Sequence, residues 1–351
     1  MSVRRLEQGP VAYEAFRQRV RRFRRSDVLR AVASLAVQMH RAAFQQGPPV
    51  LVPKYVSEFS LAGVARTALI AGNEHRNQLL SREDLVLLCG YYLNVTDPAL
   101  NDLAGLDRLR QVMSRIAFEQ FGFQYSVMEN AGRTLSLLLD QAAYCQGAPT
   151  AEEWSHTLGV PLEDFMRTGF ALHVAIVQNN GAISRQLLRA DHVALIFAPL
   201  STDGALDIAD RLFVRTPEQH AAWGRQMEVP GREKWSPNPL QPWPLVAIDD
   251  DLVGPSPRYI IDRITPTGLY FIGLDAFGSR FTDALGCMFE RYVGAQLRLL
   301  RHATVHDEVV VLVEAKSSRP VLATRVGQPE GDEDIAAKIG KRAARSSRPR
   351  S

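Results

Sequence analysis

A glutamate and a lysine separated by one residue, Glu314 and Lys316, have the types and spacing for metal-assisted chemistry. They end the apolar run in VVVLVEAKSSRP (309–320), whose β-branched residues predict a buried strand. Side chains two apart on a strand project from the same face, so both groups are directed at one point. Glu314 could hold Mg²⁺ by a carboxylate oxygen, while Lys316 orients the attacking water and stabilises charge on a phosphate.

The same pair also fits the end of an ordinary buried strand. In that alternative the two charges meet water or pair with each other, which contributes little to stability. Lysine is rare in this chain, however, because most of the 41 basic residues are arginines. Its use at position 316, in a triplet that directly follows five apolar residues, raises the weight of a metal site, and both interpretations remain open.

The sequence around Glu314 and Lys316 resembles that of a known enzyme superfamily. A helix containing FERYVG, followed by a buried strand that ends in EAK, resembles the core of the PD-(D/E)XK nuclease superfamily. The resemblance covers about residues 280–340 and implies Mg²⁺-dependent hydrolysis of DNA, at least in the ancestral form. It implies that Glu314 is the second metal ligand, that Lys316 is the catalytic lysine and that Glu290 is the helix acid near the site.

The first metal ligand of that family is an aspartate on a neighbouring strand, and Asp307 is the nearest candidate here. On one continuous strand Asp307 would lie ~23 Å from Glu314 and on the opposite face, while Glu308 would lie ~20 Å away. Little chain follows Glu314 to close such a core. We therefore expect a truncated segment, with chain lost between about Val305 and His306, and a weakened or inactive nuclease.

The sequence predicts an α+β protein with a mainly helical N-terminal region at 1–235. The proline-rich stretch PNPLQPWP (237–244) excludes a continuous helix or central strand, so we interpret it as a hinge. Around TPTG, the runs RYIIDRI and LYFIGL predict a β-hairpin that completes the segment 236–279. The short restriction-endonuclease-like α/β segment at 280–340 follows, and the basic stretch 341–351 is predicted to be disordered.

Capping signals predict several helix starts. Ser81 precedes REDLVLLCGYYL, and Thr150 with Glu153 forms a capping box before AEEWSHTL. Residues 150–172 have the length of a helix-turn-helix, with a corner near Gly159. Acidic residues at the start of the second helix would repel phosphates, so an ordinary helical corner is favoured over DNA reading.

Seven arginines lie between Arg17 and Arg30 in RQRVRRFRRSDVLR. Such a cluster could contact a nucleic-acid backbone or an acidic partner. The alternative is an amphipathic helix docked on its own protein, which Phe16, Val20 and Phe23 favour because they form an apolar stripe.

The run Asp249-Asp250-Asp251 follows a predicted strand. It could attract a cation, but consecutive residues do not all face one ion. A solvated turn is therefore the favoured interpretation.

Residue counts and spacings argue against several classes of site and of protein. Three separated cysteines, Cys89, Cys145 and Cys287, argue against a zinc knuckle and a disulfide framework, and the histidines have no metal-ligand spacing. There is no phosphate-binding glycine loop, no serine-hydrolase elbow, no signal peptide and no membrane-length apolar run.

We expect a soluble, cytoplasmic protein, and the nuclease resemblance implies DNA as its partner. The rival hypothesis is a non-enzymatic helical scaffold or interaction protein, in which Glu314 and Lys316 are surface charges.

Overall fold

Helices make up most of the residues that the structure describes, and a small sheet lies between them. The computed structural model describes residues 9–43, 51–96, 105, 112–113, 127–190 and 197–298. The predicted α+β class is confirmed in this coarse form. The restriction-endonuclease-like assignment stays a prediction, because most of 280–340 and all of 341–351 lie outside the described residues.

The helices of the N-terminal part begin at well-defined caps. Ser57 and Ser81 each accept a hydrogen bond from the backbone three residues on and form reciprocal capping boxes, which confirms the start predicted after Ser81. These helices are α1 (Tyr13–Val20), α2 (Arg25–Ala43), α3 (Glu58–Ala71) and α4 (Arg82–Leu93).

The helices of the remaining described chain are more varied in length. The capping box of Thr150 and Glu153 is formed as predicted, and Gly159 takes the left-handed conformation that ends the preceding helix, Ala151–Leu158. These helices are α5 (Val127–Leu135), α6 (Ala151–Leu158), α7 (Leu162–Gln178), α8 (Arg185–Leu188), α9 (Thr202–Leu212), α10 (Pro217–Gln226), α11 (Pro257–Ile264) and α12 (Pro266–Arg298).

Four short strands form one mixed sheet in the order β1-β4-β3-β2. The central pair β3 and β4 is antiparallel, β1 adds antiparallel to β4, and β2 adds parallel to β3. The strands are β1 (Ala182–Ser184), β2 (Val214–Arg215), β3 (Leu245–Ile248) and β4 (Asp251–Val253).

The sheet separates two hydrophobic cores because alternate side chains of a strand point to opposite faces. Val246 and Val253 belong to an N-terminal core with α1 to α4, whereas Leu245 and Leu252 belong to a C-terminal core with α6, α7, α9, α11 and α12. The largest fully buried side chains of these cores are Phe16, Leu29, Leu61 and Leu69 in the first, and Trp154, Phe165, Phe197, Phe213 and Phe281 in the second.

The proline-rich stretch is not a hinge, so that prediction is wrong. Residues 236–240 are buried. The Asn238 amide donates to the carbonyl of Ala62 at 3.0 Å, and Arg66 Nε donates to the carbonyl of Pro237 at 3.2 Å. β2 and β3 pair across the boundary predicted at 235/236. Prolines exclude regular structure here, but exclusion of a helix does not make a segment exposed or movable.

The predicted β-hairpin is also wrong, because both of its runs are helical. Pro257 and Pro266 each lie at the first turn of a helix, where the missing N–H costs nothing and the fixed φ is favourable. Within α11 the isoleucines Ile260, Ile261 and Ile264 are buried together at helical spacing. α12 is not one continuous helix, because Gly278 has a φ of 59° and breaks it one residue before the boundary predicted at 279/280.

Cys145 and Cys287 form a disulfide, which the odd cysteine count and wide separation had argued against. Their Cα atoms lie 6.0 Å apart although 142 residues separate them in sequence. Cys89 is a buried free cysteine. Among the described residues no helix has the length and apolar character to cross a membrane.

Candidate functional site

The predicted metal site lies almost entirely outside the described residues. Glu314, Lys316 and Asp307 fall in the stretch after 298, and Glu290 is an exposed residue of α12. Within the described ranges, no three carboxylate, histidine or cysteine side chains come together to hold a metal ion. The roles predicted for these four residues therefore stay predictions.

The aspartate run forms a solvated turn, which is the interpretation that the sequence favoured. Asp249 has a φ of 55° and a side chain that is 91% exposed, and it joins β3 to β4. Asp251 forms an ion pair with Arg30, with Oδ2 and Nη1 2.5 Å apart. The carboxylates thus serve a turn and an ion pair.

The helix-turn-helix pattern is an ordinary helical corner. α6 and α7 meet at Gly159, and most of the face of α7 is buried in the C-terminal core, including Phe165, Leu172 and Ile176. A recognition helix needs an exposed face that enters the major groove. The interpretation as a corner is therefore confirmed.

The arginine cluster is docked on its own protein, as favoured, but its arginines differ in their surroundings. Phe16, Val20 and Phe23 are buried in the N-terminal core. Arg25 is also buried and pairs with Glu74 at 3.0 Å and with Glu218 at 2.5 Å. The neighbouring Arg21 is half-buried and Arg22 is exposed, so these two arginines border solvent.

Arg21 and Arg22 line a cleft of about 500 Å³ that we call the basic cleft. One wall is the end of α1 and the residues after it, and the other is the segment between α3 and α4. Its lining residues are Gln18, Arg21, Arg22, Arg76, Asn77 and Gln78. The cleft therefore combines arginines and amides, and none of its lining residues carries a carboxylate.

Backbone contacts hold the two walls together. Asn73 bridges to Arg24 and Gln78 bridges to Phe23, so both ends of the loop 73–78 are attached to adjacent residues. The carbonyl of Asn73 accepts from the backbone N–H of Arg25 at 3.0 Å. Because its ends are fixed, the loop must present Arg76 to the same cleft as the arginines after α1.

The carboxylates nearest to the cleft in the chain already have partners. Glu74 accepts hydrogen bonds from Arg25 Nε and from Ser26 Oγ at 2.7 Å. Burial opposes its ionisation, but the hydrogen bonds from Ser26 and Arg25 outweigh it and lower the pKa of Glu74. Glu14 accepts from Gln18 at 2.6 Å and pairs with Arg17 at 3.1 Å.

The guanidinium of Arg21 lacks an acceptor for one buried donor. Its Nε is buried and has no hydrogen-bond partner in the part of the chain that the structure describes. Unsatisfied buried donors are uncommon in folded proteins, and a bound acceptor would remove the cost. The arginines that line the cleft carry guanidinium N–H groups, which can donate to the oxygen atoms of an anion.

A second constellation of titratable side chains lies in the interior. His40 of α2 and His173 of α7 pack edge to face with ring centroids 5.1 Å apart, and His173 Nδ1 donates to the carbonyl of Pro257 at 3.0 Å. Burial lowers the pKa of His40 to about 4, with further contributions from His173 and the buried Arg258. This cluster is closed to solvent and serves the junction of the helices.

No family model matches the chain, and neither a curated protein nor a solved structure matches it. The basic cleft is therefore described from its own residues. Its first wall belongs to the arginine cluster recognised in the sequence. Arg76, Asn77 and Gln78 were missed, and the only local signal for them is the polar run NEHRNQ between two apolar helices.

Proposed function

We propose that this protein binds nucleic acid at the basic cleft, with its arginines on the phosphodiester backbone. The observation that carries the proposal is the convergence of Arg21, Arg22 and Arg76 on one cleft whose lining has no acid. A guanidinium stays charged at neutral pH and matches phosphate oxygens with two parallel N–H groups. Backbone contacts of this kind supply most of the affinity of non-specific nucleic-acid binding.

The positive charge of the cleft is local. The whole chain has a net charge of only +3, so the attraction does not come from a generally basic surface. Arg25 and Arg30, from the same arginine cluster, are already paired with carboxylates. Arg22 and Arg76 are exposed and have no carboxylate partner among the residues that the structure describes, so they can contact a ligand.

The proposal is tested with the double variant Arg22→Gln/Arg76→Gln. Both residues are exposed, so the variant should fold normally, as circular dichroism and thermal unfolding would show. Fluorescence anisotropy with a labelled oligonucleotide should show binding by the parent that weakens at least tenfold in the variant. The slope of log K against log salt should fall by ~1.4 on a single strand or ~1.8 on a duplex.

The matched control is Arg189→Gln, which removes one charge from an exposed arginine of the C-terminal part. It should leave affinity and salt slope close to those of the parent. Equal binding by the parent and the double variant would overturn the proposal. Absence of binding to DNA and RNA at low salt would do the same.

The hydrolytic part of the proposal rests on the sequence pattern around Glu314 and Lys316. We propose that the C-terminal segment descends from a Mg²⁺-dependent nuclease of PD-(D/E)XK type and that any remaining activity depends on these two residues. Cleavage of DNA with Mg²⁺ or Mn²⁺ that disappears in Glu314→Ala and in Lys316→Ala would support an active enzyme. Binding without metal-dependent cleavage would instead favour a non-enzymatic protein that retains the nucleic-acid site.

A further inference from the structure

The basic cleft contains more than phosphate-binding groups. Gln18, Asn77 and Gln78 contribute amides, which both donate and accept hydrogen bonds. A phosphate oxygen only accepts, so the carbonyl half of each amide finds no partner on a phosphodiester. The edges of nucleobases present donors and acceptors side by side and do match an amide.

The shape of the site limits how an amide can reach a base. In a duplex the base edges lie at the floor of a groove, which a convex element such as a helix or a β-ribbon can enter. The amides here line a concave cleft, so they cannot descend into a groove. An unpaired base can move into the cleft, whose volume of about 500 Å³ is within the usual range for small-ligand sites.

The loop 73–78 places both kinds of group next to each other. Arg76 lies one residue before Asn77, and Gln78 is fixed by its bridge to Phe23. Asn77 and Gln78 thus follow Arg76 directly on one short loop.

We propose that the basic cleft takes up an unpaired nucleotide, with Arg22 and Arg76 on the flanking phosphates and Asn77 and Gln78 on the edge of the base. The ligand class is single-stranded nucleic acid, or a single-stranded region within a longer molecule. This inference rests on the proposed function and adds the strand form and the base contacts. An acidic protein segment would use the arginines but not the amides.

The test compares four probes at one salt concentration. They are a single-stranded oligonucleotide of mixed sequence, the blunt duplex of that sequence, an abasic single strand of equal length and polyglutamate. The mixed-sequence strand should bind about tenfold more tightly than the duplex or the abasic strand, a difference of ~1.4 kcal/mol. Polyglutamate should bind most weakly.

The double variant Asn77→Ala/Gln78→Ala removes the base contacts without changing the charge. It should reduce affinity for the mixed-sequence strand about tenfold, to the level of the abasic strand, and leave the salt slope unchanged. Its matched control is Gln186→Ala, which removes an exposed amide from α8 and should have no effect.

The failure of this inference can be distinguished from the failure of the proposed function. Equal affinity for single strand, duplex and abasic strand, still lost in Arg22→Gln/Arg76→Gln, would overturn the inference and retain backbone binding. Binding of polyglutamate alone would overturn both. An effect of Gln186→Ala as large as that of the amide variant would also overturn the inference.

Discussion

The two halves of this protein, on opposite faces of one sheet, are held in place by different interactions. The N-terminal helices are joined to the rest of the chain by arginine ion pairs, namely Arg25 with Glu218, Arg30 with Asp251 and Arg66 with Glu228. The C-terminal half is held by an aromatic cluster around Trp154 and by the disulfide between Cys145 and Cys287.

This difference explains why the arginine-rich stretch is informative. Arginine already has a structural use in the N-terminal half, so a high arginine count alone indicates little about ligands. The arginines that indicate a site are those with no carboxylate partner among the residues that the structure describes. Arg22 and Arg76 differ from Arg25 and Arg66 in exposure and in pairing, although the residue type is the same.

The largest effect should come from the aromatic cluster of the C-terminal half. Trp154 is fully buried and packs edge to face on Phe277 and Phe281, with centroids 5.2 and 5.9 Å away. Trp154→Ala should lower the free energy of unfolding by about 4 kcal/mol, because it leaves a large cavity. Urea unfolding measures the loss. Phe170→Ala, at an exposed position, should cost less than ~1 kcal/mol, and equal losses would contradict the role of the cluster.

The second-largest loss of stability should come from the most buried of the three arginines that pair with the rest of the chain. Arg66 is 3% exposed, pairs with Glu228 at 3.3 Å and donates to the carbonyl of Pro237. Arg66→Met should cost about 3 kcal/mol, because it removes a buried ion pair and leaves the carbonyl of Pro237 without this donor. Arg30→Met, at a pair that is about one-third exposed, should cost less than ~1 kcal/mol. Thermal unfolding measures both losses. Equal losses of stability in the two variants would contradict the larger structural role assigned to the buried pair of Arg66 and Glu228.

A smaller effect is expected from the disulfide. Cys287→Ser should lower the free energy of unfolding by about 2 kcal/mol, the lower end of the range that is typical for loss of a disulfide. Reduction of the parent with dithiothreitol should lower its stability to the same value, while the variant should not respond to the reductant. Intact-mass analysis after alkylation tests for the bond directly. Two additional alkylated cysteines in the unreduced parent would contradict it.

The most gradual effect is a dependence of stability on pH at the junction between the halves. The pKa of His40 is lowered to about 4 by burial and by His173 and Arg258, whereas the unfolded chain takes up this proton near 6.5. The unfolded state therefore binds more protons between these values, so stability is fully present above pH 6.5 and falls as the pH drops toward 4.

For His40 alone the expected slope is ~1 kcal/mol per pH unit between pH 6 and 5. His40→Gln should remove this part of the slope, and urea unfolding at several pH values measures it. Above pH 7 the protonation of His40 should contribute almost no pH dependence to the stability of the parent. An unchanged slope in the variant would show that His40 is not protonated on unfolding in this range.

Local signals predicted many of the elements but not their arrangement. The helix starts at Ser81 and Thr150, the corner at Gly159 and the docked face of Phe16 and Val20 were all predicted correctly, because each depends on residues within one or two turns. The hairpin prediction failed because the TPTG signal for a turn equally suits a proline at the first turn of a helix.

The sequence by itself determined the helical character, the caps and the arginine-rich stretch, since neighbouring residues encode these features. Only the tertiary structure decided which arginines are paired and which face solvent. Glu218 reaches Arg25 across 193 residues, and the loop 73–78 is fastened beside Phe23 and Arg24. No local pattern records such contacts, because they depend on how helices that are distant in the sequence pack together. The basic cleft is a product of that packing.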